Sequence, residues 1–236
     1  VRLVAMLPTY NEADNIEPLL QELLDLGLAD FHVLVVDDDS PDGTAQKVAA
    51  LMARRPEVHL LLRRHERGRG SAGRDGFLAA LELGAEAVVE MDADRSHRPE
   101  HLPDLVAALA DYDLVVGSRR VPGGSDSRGP SRRLITRLAN LYLRLILNLP
   151  VSDATSGYRA YRAELLRAID LPSLSSPGPA MLQEVMLRAV RLGFHVGERP
   201  IRFVDRSAGR STLRPAILLA GLRTAWRLRR QAWPPD

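Results

Sequence analysis

Short apolar runs alternate with segments of helical spacing through the first half of the chain. Leu3 to Leu7, Phe31 to Val36, Val58 to Leu62, Ala87 to Met91 and Leu114 to Val116 are almost wholly apolar. Between them, Glu17 to Leu26, Gly43 to Arg54, Ala72 to Leu83 and His101 to Leu109 carry apolar residues at intervals of three and four, the signature of helices with one buried face. Apolar strands separated by helices predict an α/β fold whose mostly parallel sheet is covered on both faces. Sites in such sheets lie beyond the carboxyl ends of the strands.

The second half follows another pattern. Val121 to Pro130 is mostly Gly, Ser, Pro and Arg and predicts a loop. Leu134 to Leu149 is a strongly apolar helical segment in which Arg137, Asn140, Arg144 and Asn148 form one narrow polar stripe. That composition suits a central core helix and a helix facing a bilayer equally. Ala180 to Arg191 predicts a further helix, Phe194 to Val204 two short strands around Pro200, and Pro215 to Arg230 a last helix. In this last helix Leu219, Leu222 and Trp226 share one side, Trp233 follows its end, and Arg223, Arg227 and Arg230 share another side. A basic amphipathic helix with Trp fits a membrane interface, and equally packing on its own domain or on a small membrane protein as partner. The expected division is one domain over residues 1–213 and an amphipathic helix with its tail over 214–236.

Composition narrows the function classes. With 236 residues, 45% of them hydrophobic, the chain has material for one large core. The excess of bases is small (+2), and nearly every base is Arg, Lys47 being the single Lys. Arg pairs bidentately with phosphate, so individual Arg residues become candidates below. There is no Cys, which excludes disulfides, zinc thiolates and thiol catalysis. Aromatic residues are scarce at 5% and no recognition motif appears, which argues against a nucleic-acid partner. No apolar run approaches the roughly 18 residues of a membrane span, and Leu3 to Leu7 reads as a core strand rather than a secretory leader.

The chemistry concentrates where strands end. The fourth strand runs into Asp92-Ala93-Asp94. Side chains two apart on an extended chain point the same way, so both carboxylates can face one Mg²⁺ or Mn²⁺ ion completed by phosphate oxygens and water. The second strand ends in Asp37-Asp38-Asp39-Ser40-Pro41-Asp42-Gly43-Thr44. Asp42 and Ser40 suit caps and turns, while Asp37 or Asp38 suits a hydrogen bond to a nucleobase or ribose. The first strand ends in Pro8-Thr9-Tyr10-Asn11-Glu12, where Tyr10 can stack on a base and Glu12 can accept from a base or ribose.

Taken together, these three strand ends resemble the inverting family 2 glycosyltransferases, and more narrowly the dolichyl-phosphate or polyprenyl-phosphate mannose synthases. The resemblance runs from about Leu3 to Leu213. It continues through Val116-Gly117-Ser118-Arg119, through Arg132, Thr136, Ala139 and Asn140, through Ser152-Asp153-Ala154-Thr155-Ser156-Gly157-Tyr158-Arg159, and through Phe203-Val204-Asp205-Arg206 with Gly209 and Ser211. It departs at Leu182, where relatives often carry Gln two positions before the acid, here Glu184, and in the Val121 to Pro130 loop, which lacks their Trp.

The resemblance implies the Rossmann-like fold called GT-A and transfer of mannose from GDP-mannose to a polyprenyl phosphate with inversion, by a peripheral protein on the cytoplasmic side of a membrane. Pro8, Tyr10, Glu12, Asp37, Asp38, Asp92, Ala93 and Asp94 would hold the nucleotide-sugar. Asp92, Asp94 and Ser96 would hold the metal, and Arg119, Arg132, Thr136 and Arg206 the acceptor phosphate. Asp92, Asp94, Arg119 and Arg206 form the expected catalytic set, with Asp153 and Glu184 as candidates on the sugar side. UDP-glucose is the alternative donor, and a sugar hydroxyl the alternative acceptor. A nucleotidyltransferase would open with a Gly- and Arg/Lys-rich phosphate loop in place of Tyr10-Asn11-Glu12. A non-catalytic binding module has no need of an intact Asp92/Asp94 pair.

Overall fold

The structure is a computed structural model that describes residues 1–205 and 215–231, with side chains in the last helix described from residue 220. In chain order its elements are β1 (Leu3–Thr9), α1 (Ile16–Leu24), β2 (Phe31–Asp37), α2 (Thr44–Met52), β3 (Val58–Leu62), α3 (Arg69–Glu82), β4 (Ala87–Glu90), α4 (Leu102–Ala107), β5 (Leu114–Ser118), β6 (Ser125–Asp126), α5 (Pro130–Leu147), β7 (Arg159–Arg162), α6 (Ala163–Ala168), α7 (Ala180–Arg191), β8 (Val196–Pro200), β9 (Arg202–Phe203) and α8 (Pro215–Arg230). The alternation read from the sequence is therefore present.

Seven strands form one sheet in the order β3-β2-β1-β4-β7-β5-β8. All its pairings are parallel except those of β7, which runs antiparallel to both β4 and β5. Because β7 is reversed, the loop leading into it lies at the same sheet edge as the loops that leave β1, β2, β4 and β5. A two-stranded ribbon of β6 and β9 stands beside that edge.

The sheet separates two cores. One face packs Val4, Met6, Leu34, Val36 and Val88 against α3, α7 and the segment before α7. The other packs Ala5, Leu7, Val33, Val35 and Val89 against α1, α2 and α4. Alternate residues of each central strand serve opposite cores, so these strands are apolar throughout.

The helix α5 departs from the usual pattern for a surface helix. Its buried side chains are Asn140 and Leu147, while Leu134, Ile135, Leu138, Leu141 and Leu145 stand exposed, Leu145 by 67%. The polar stripe thus turns partly inward and the apolar face outward. α8 lies along α5 and α7, burying Ala225 and Leu228. Tyr142 Oη donates to the Leu222 carbonyl (3.1 Å) and Arg229 Nη1 to the Ile146 carbonyl (2.8 Å). Trp226 and Leu222 on α8 remain substantially exposed. Among the described residues no helix is long and apolar enough to cross a membrane.

Candidate active site

The first two strand-end turns are tied to each other. Asp37, at the end of β2, is fully buried. It accepts from Thr9 Oγ1 (2.9 Å), Ser40 N (2.8 Å) and Ser40 Oγ (2.7 Å). Ser40 Oγ in turn accepts from Asn11 N (2.9 Å), Thr44 Oγ1 from Glu12 N (3.0 Å), and Asp42 Oδ2 from Ala13 N (2.9 Å). Asp37 was expected at the nucleotide. It instead fastens the two turns together, and its burial behind three donors is the reason.

Asp38 is next along the chain. Its carboxylate accepts from Gly68 N (2.7 Å) and from the buried Arg63 guanidinium, which also reaches Asp75 (2.9 Å). Tyr10 is half exposed at the mouth of this region, and Glu12 accepts from Asn15 Nδ2 (2.8 Å). Pro8 lies within β1 in register with Val36. Asn11, Asp39 and Arg95, one residue in each of the turns after β1, β2 and β4, have left-handed backbone (φ 61°, 56° and 64°). Asn and Asp adopt that conformation readily, whereas Arg does so at a cost.

Beyond β4, Asp94 is buried and accepts from Ser96 N (3.0 Å), while the Asp92 side chain is one-third exposed. Ala93 is buried between them. The backbone N–H of Asp92 donates to Nδ1 of His97 (3.0 Å). His97 stacks on Tyr158 and meets Phe203 edge-on. Burial pushes the His97 pKa down in spite of Asp92 and Asp94 nearby, keeping the ring neutral with Nδ1 as acceptor. Gly157 faces Asp92: a Cβ there would come within 3.6 Å of both carboxylate oxygens, so the missing side chain leaves that approach open.

These residues fit a divalent cation. Ser96 Oγ is buried without a hydrogen-bond partner among the described residues, an expensive state for a hydroxyl that a ligand would relieve. Among the described residues no cluster of three or more His, Cys, Asp or Glu side chains is arranged to hold an ion alone. A cation here would draw on Asp92, Asp94, the Ser96 hydroxyl, substrate oxygens and water, a hard-donor set suited to Mg²⁺ or Mn²⁺.

Arg119 follows β5 and is clamped by Asp153. Its Nε and Nη2 donate to the two carboxylate oxygens (2.7 and 2.6 Å), its backbone N donates to Oδ2 (3.0 Å), and Nη2 also reaches Thr155 Oγ1 (2.8 Å). Asn140 of α5 completes the clamp through Asp153 Oδ1 (3.1 Å). Burial alone would raise the Asp153 pKa, but the hydrogen bonds and charge of Arg119, with Thr155, bring it down to about 2. Asp153 thus orients Arg119 from inside the protein and does not face a sugar.

A cavity of about 630 Å³ opens beside this clamp, lined by Arg119, Arg120, Asp126, Arg133, Thr136 and Arg137 among others, with Leu134 at its rim. Arg119 and Thr136, both expected at an acceptor phosphate, meet here. Arg132 does not line the cavity and pairs with Asp205 at 3.4 Å in an exposed contact, and its neighbour Arg133 takes the place. Arg128, which the sequence reading passed over, is held by both oxygens of Asp126 (2.8 and 2.6 Å) and donates to Thr136 Oγ1 (3.2 Å). Phe203 lies against the guanidinium groups of Arg119 and Arg128, 5.2 and 4.8 Å from its ring centre. Arg206 lies outside the described residues, as do Gly209, Ser211 and Trp233.

Glu184 was expected on the sugar side. It is buried, accepts from Ser175 N and Ser176 N (3.3 and 2.8 Å) and pairs with Arg188 (2.5 Å), so it fixes the segment ahead of α7. At the departure noted in sequence, Leu182 is buried in the core, and the amide of the following Gln183 donates to the Ala154 carbonyl (3.0 Å).

Comparison with known proteins agrees with this geometry. The family model for glycosyl transferase family 2 matches residues 5–170. The undecaprenyl-phosphate mannosyltransferase of Micrococcus luteus is 45% identical over 92% of this chain and 90% of its own. The polyprenol monophosphomannose synthase of Mycolicibacterium smegmatis is 42% identical over 90% of this chain and 81% of its own. Among solved structures, glucosyl-3-phosphoglycerate synthase of Mycobacterium tuberculosis, in complex with Mn²⁺, UDP and its product, superposes with a TM-score of 0.71 at 20% identity, covering 96% of this chain and 78% of that one. At that identity the likeness speaks for the GT-A fold alone.

Proposed function

The chain belongs to glycosyl transferase family 2, and from that premise we propose that it transfers a mannosyl residue from GDP-mannose to a polyprenyl phosphate at a membrane surface. One observation carries the reading: a cavity lined by four Arg side chains, among them Arg119, whose guanidinium feels the charge of Asp92, opens at the foot of the exposed leucine face of α5. An Arg-lined cavity suits a phosphate, and a contiguous exposed apolar helix face flanked by Arg133, Arg137 and Arg144 suits the surface of a bilayer. A lipid phosphate has both parts.

In this reading Tyr10 stacks on the base, and Asp38 and Glu12 accept from base or ribose. Asp92, Asp94 and Ser96 hold Mg²⁺ or Mn²⁺, which when bound offsets the charge of the departing nucleoside diphosphate. The acceptor needs no strong general base, because a phosphomonoester with a second pKa of about 6 is largely dianionic at neutral pH. The protein's task is to bring two anions together in line. Arg119, held rigid by Asp153, orients the acceptor oxygen, and Arg128, Arg133 and Thr136 complete its cradle. Residues 153–157 span both halves, touching Arg119 through Asp153 and Thr155 and facing Asp92 through Gly157. Attack from the face opposite the leaving group inverts the anomeric centre, so an α-linked donor gives a β-linked product.

The test is to incubate the protein with a polyprenyl phosphate and Mg²⁺ or Mn²⁺, supplying GDP-mannose and UDP-glucose separately, and to measure lipid-linked sugar. Mannosyl lipid that disappears with EDTA and with Asp94→Ala is the expected result. Glucosyl lipid alone would reassign the donor. No lipid product from folded protein that still binds nucleotide would overturn the acceptor.

A further inference from the structure

Arg69 has no place in the reading above, yet its guanidinium reaches Asp92, one of the candidate metal carboxylates. It is the first residue of α3, directly after Gly68, whose N–H holds Asp38 (2.7 Å). Its Nη1 donates to Glu90 Oε1 at 2.6 Å, and its Nη2 reaches Asp92 Oδ1 at a long 3.4 Å. Glu90 is completely buried, and its other oxygen accepts from Tyr161 Oη (3.1 Å). The guanidinium is therefore anchored firmly on one side and weakly on the side of Asp92, with about a quarter of the side chain exposed. Gly70 and Gly73 flank it, and a Cβ at Gly73 would lie 3.5 Å from Nη1 and collide with Met181, so the helix carries no side chain there.

We propose that Arg69 is a second cation of the donor site, one that shares Asp92 with the metal and turns its weakly held Nη2 to the diphosphate of the bound nucleotide. The inference rests on the donor-site reading above. Charge supports it. The Glu90 and Asp92 carboxylates both face Arg69, and the charge of Arg119 also reaches Asp92. A diphosphate then brings further negative charge that the metal alone does not balance. Arg is suited to this exchange because its planar fork keeps the Glu90 bond while a second N–H changes partner. Two opposite consequences follow. Without nucleotide, Arg69 competes with the metal for Asp92 Oδ1. With nucleotide, it adds affinity for the diphosphate.

The experiment measures Mn²⁺ affinity by electron paramagnetic resonance and nucleotide affinity by calorimetry, with GDP, UDP and GMP as probes. Removing Arg69 alone would leave the buried Glu90 unpaired, so the main variant is Arg69→Met with Glu90→Gln, which keeps the Tyr161 hydrogen bond. Arg69→Lys is the conservative companion. The double variant should bind Mn²⁺ about fivefold more tightly without nucleotide. At saturating Mn²⁺ it should bind the nucleoside diphosphate about tenfold more weakly while GMP changes less than about twofold, and Lys should recover part of the loss. Unchanged diphosphate affinity, or weaker Mn²⁺ binding in the double variant, would overturn the proposal by reducing Arg69 to a support for Asp92. Wild-type protein that binds neither GDP nor UDP would overturn this inference and the donor reading together. Loss of lipid transfer with intact nucleotide binding bears on the acceptor reading alone.

Discussion

Replacing Asp153 by Asn tests the clamp on Arg119 most directly. Asp153 is wholly inaccessible and takes donors from Arg119 Nε, Nη2 and N, from Asn140 and from Thr155. Its carboxyl falls from the ordinary 3.8 to about 2, because the bonds and charge of Arg119 outweigh burial. That displacement corresponds to about 2 kcal/mol of folding free energy. A folded-state pKa that is depressed contributes stability at pH values above 3.8 and loses it as pH falls toward 2. Asn removes the countercharge of a buried guanidinium, and breaking such a pair costs about 3–5 kcal/mol. It also turns an amide N–H₂ toward the N–H groups of Arg119 or Asn140. Urea unfolding followed by circular dichroism should show Asp153→Asn about 3 kcal/mol less stable at pH 7. The gap should narrow by about 1 kcal/mol at pH 3, where wild type begins to lose the contribution. In the transfer assay the variant should raise KM for the acceptor far more than for the nucleotide-sugar. A gap under about 1 kcal/mol at pH 7, or one that stays constant on acidification, would refute the clamp as an energetic unit.

Other substitutions probe separate parts of the site. Ser96→Ala removes a buried hydroxyl that lacks a partner among the described residues, so metal-free protein should be about 1 kcal/mol more stable in thermal melts while Mn²⁺ binds more weakly. Gly124→Ala would place a Cβ 2.5 Å from the Ser118 carbonyl oxygen and 2.8 Å from the Arg119 carbonyl carbon. Rigid backbone cannot yield, and a loss of about 1–3 kcal/mol with reduced transfer is expected. Leu138→Glu with Leu145→Glu replaces two exposed leucines. Thermal stability should hold within about 0.5 kcal/mol, while flotation with anionic vesicles falls and activity on a short, water-soluble acceptor phosphate persists. Phe203→Ala removes the ring between Arg119 and Arg128, and a raised acceptor KM that Phe203→Tyr restores is the expected kinetic result.

The strand-end carboxylates were legible because they follow directly on apolar runs. Strand period and strand end together set where Asp92 and Asp94 lie in the chain, just beyond β4. What each of Asp37 and Asp38 holds was not legible: both are buried, and Asp38 closes on Arg63 and Gly68. Thr9 and Ser40 close over Asp37 from two different loops, a contact made only in the fold. β7 was missed because Arg159-Ala160-Tyr161-Arg162 carries two Arg, one of them buried through hydrogen bonds to the Ser156, Leu182 and Ala154 carbonyls. Periodicity does not register a strand whose charge is satisfied by backbone. The polar stripe of α5 was read correctly as a stripe, but Asn140 points inward to Asp153 and Thr155. Hydropathy alone leaves the leucines equally suited to the core and to a bilayer, and the fold turns them outward. Arg69 and Arg128 were overlooked in an Arg-rich chain because no pattern distinguishes an arginine at the end of a helix or in a loop from its solvated neighbours.

The reversed strand β7 has a consequence for how the chain is made. During synthesis β1 to β4 emerge first, and Val88 and Val89 of β4 then form an open, apolar edge. That edge stays unsatisfied until Arg159–Arg162 arrives some seventy residues later and inserts between β4 and β5. An unpaired apolar edge of this kind invites pairing with another chain. The first half of the protein is thus expected to aggregate when expressed alone. The half proposed to bind nucleotide and the half proposed to bind acceptor are wound into one sheet and come into being together, so exchanging the second half as a cassette is not expected to give a new acceptor specificity.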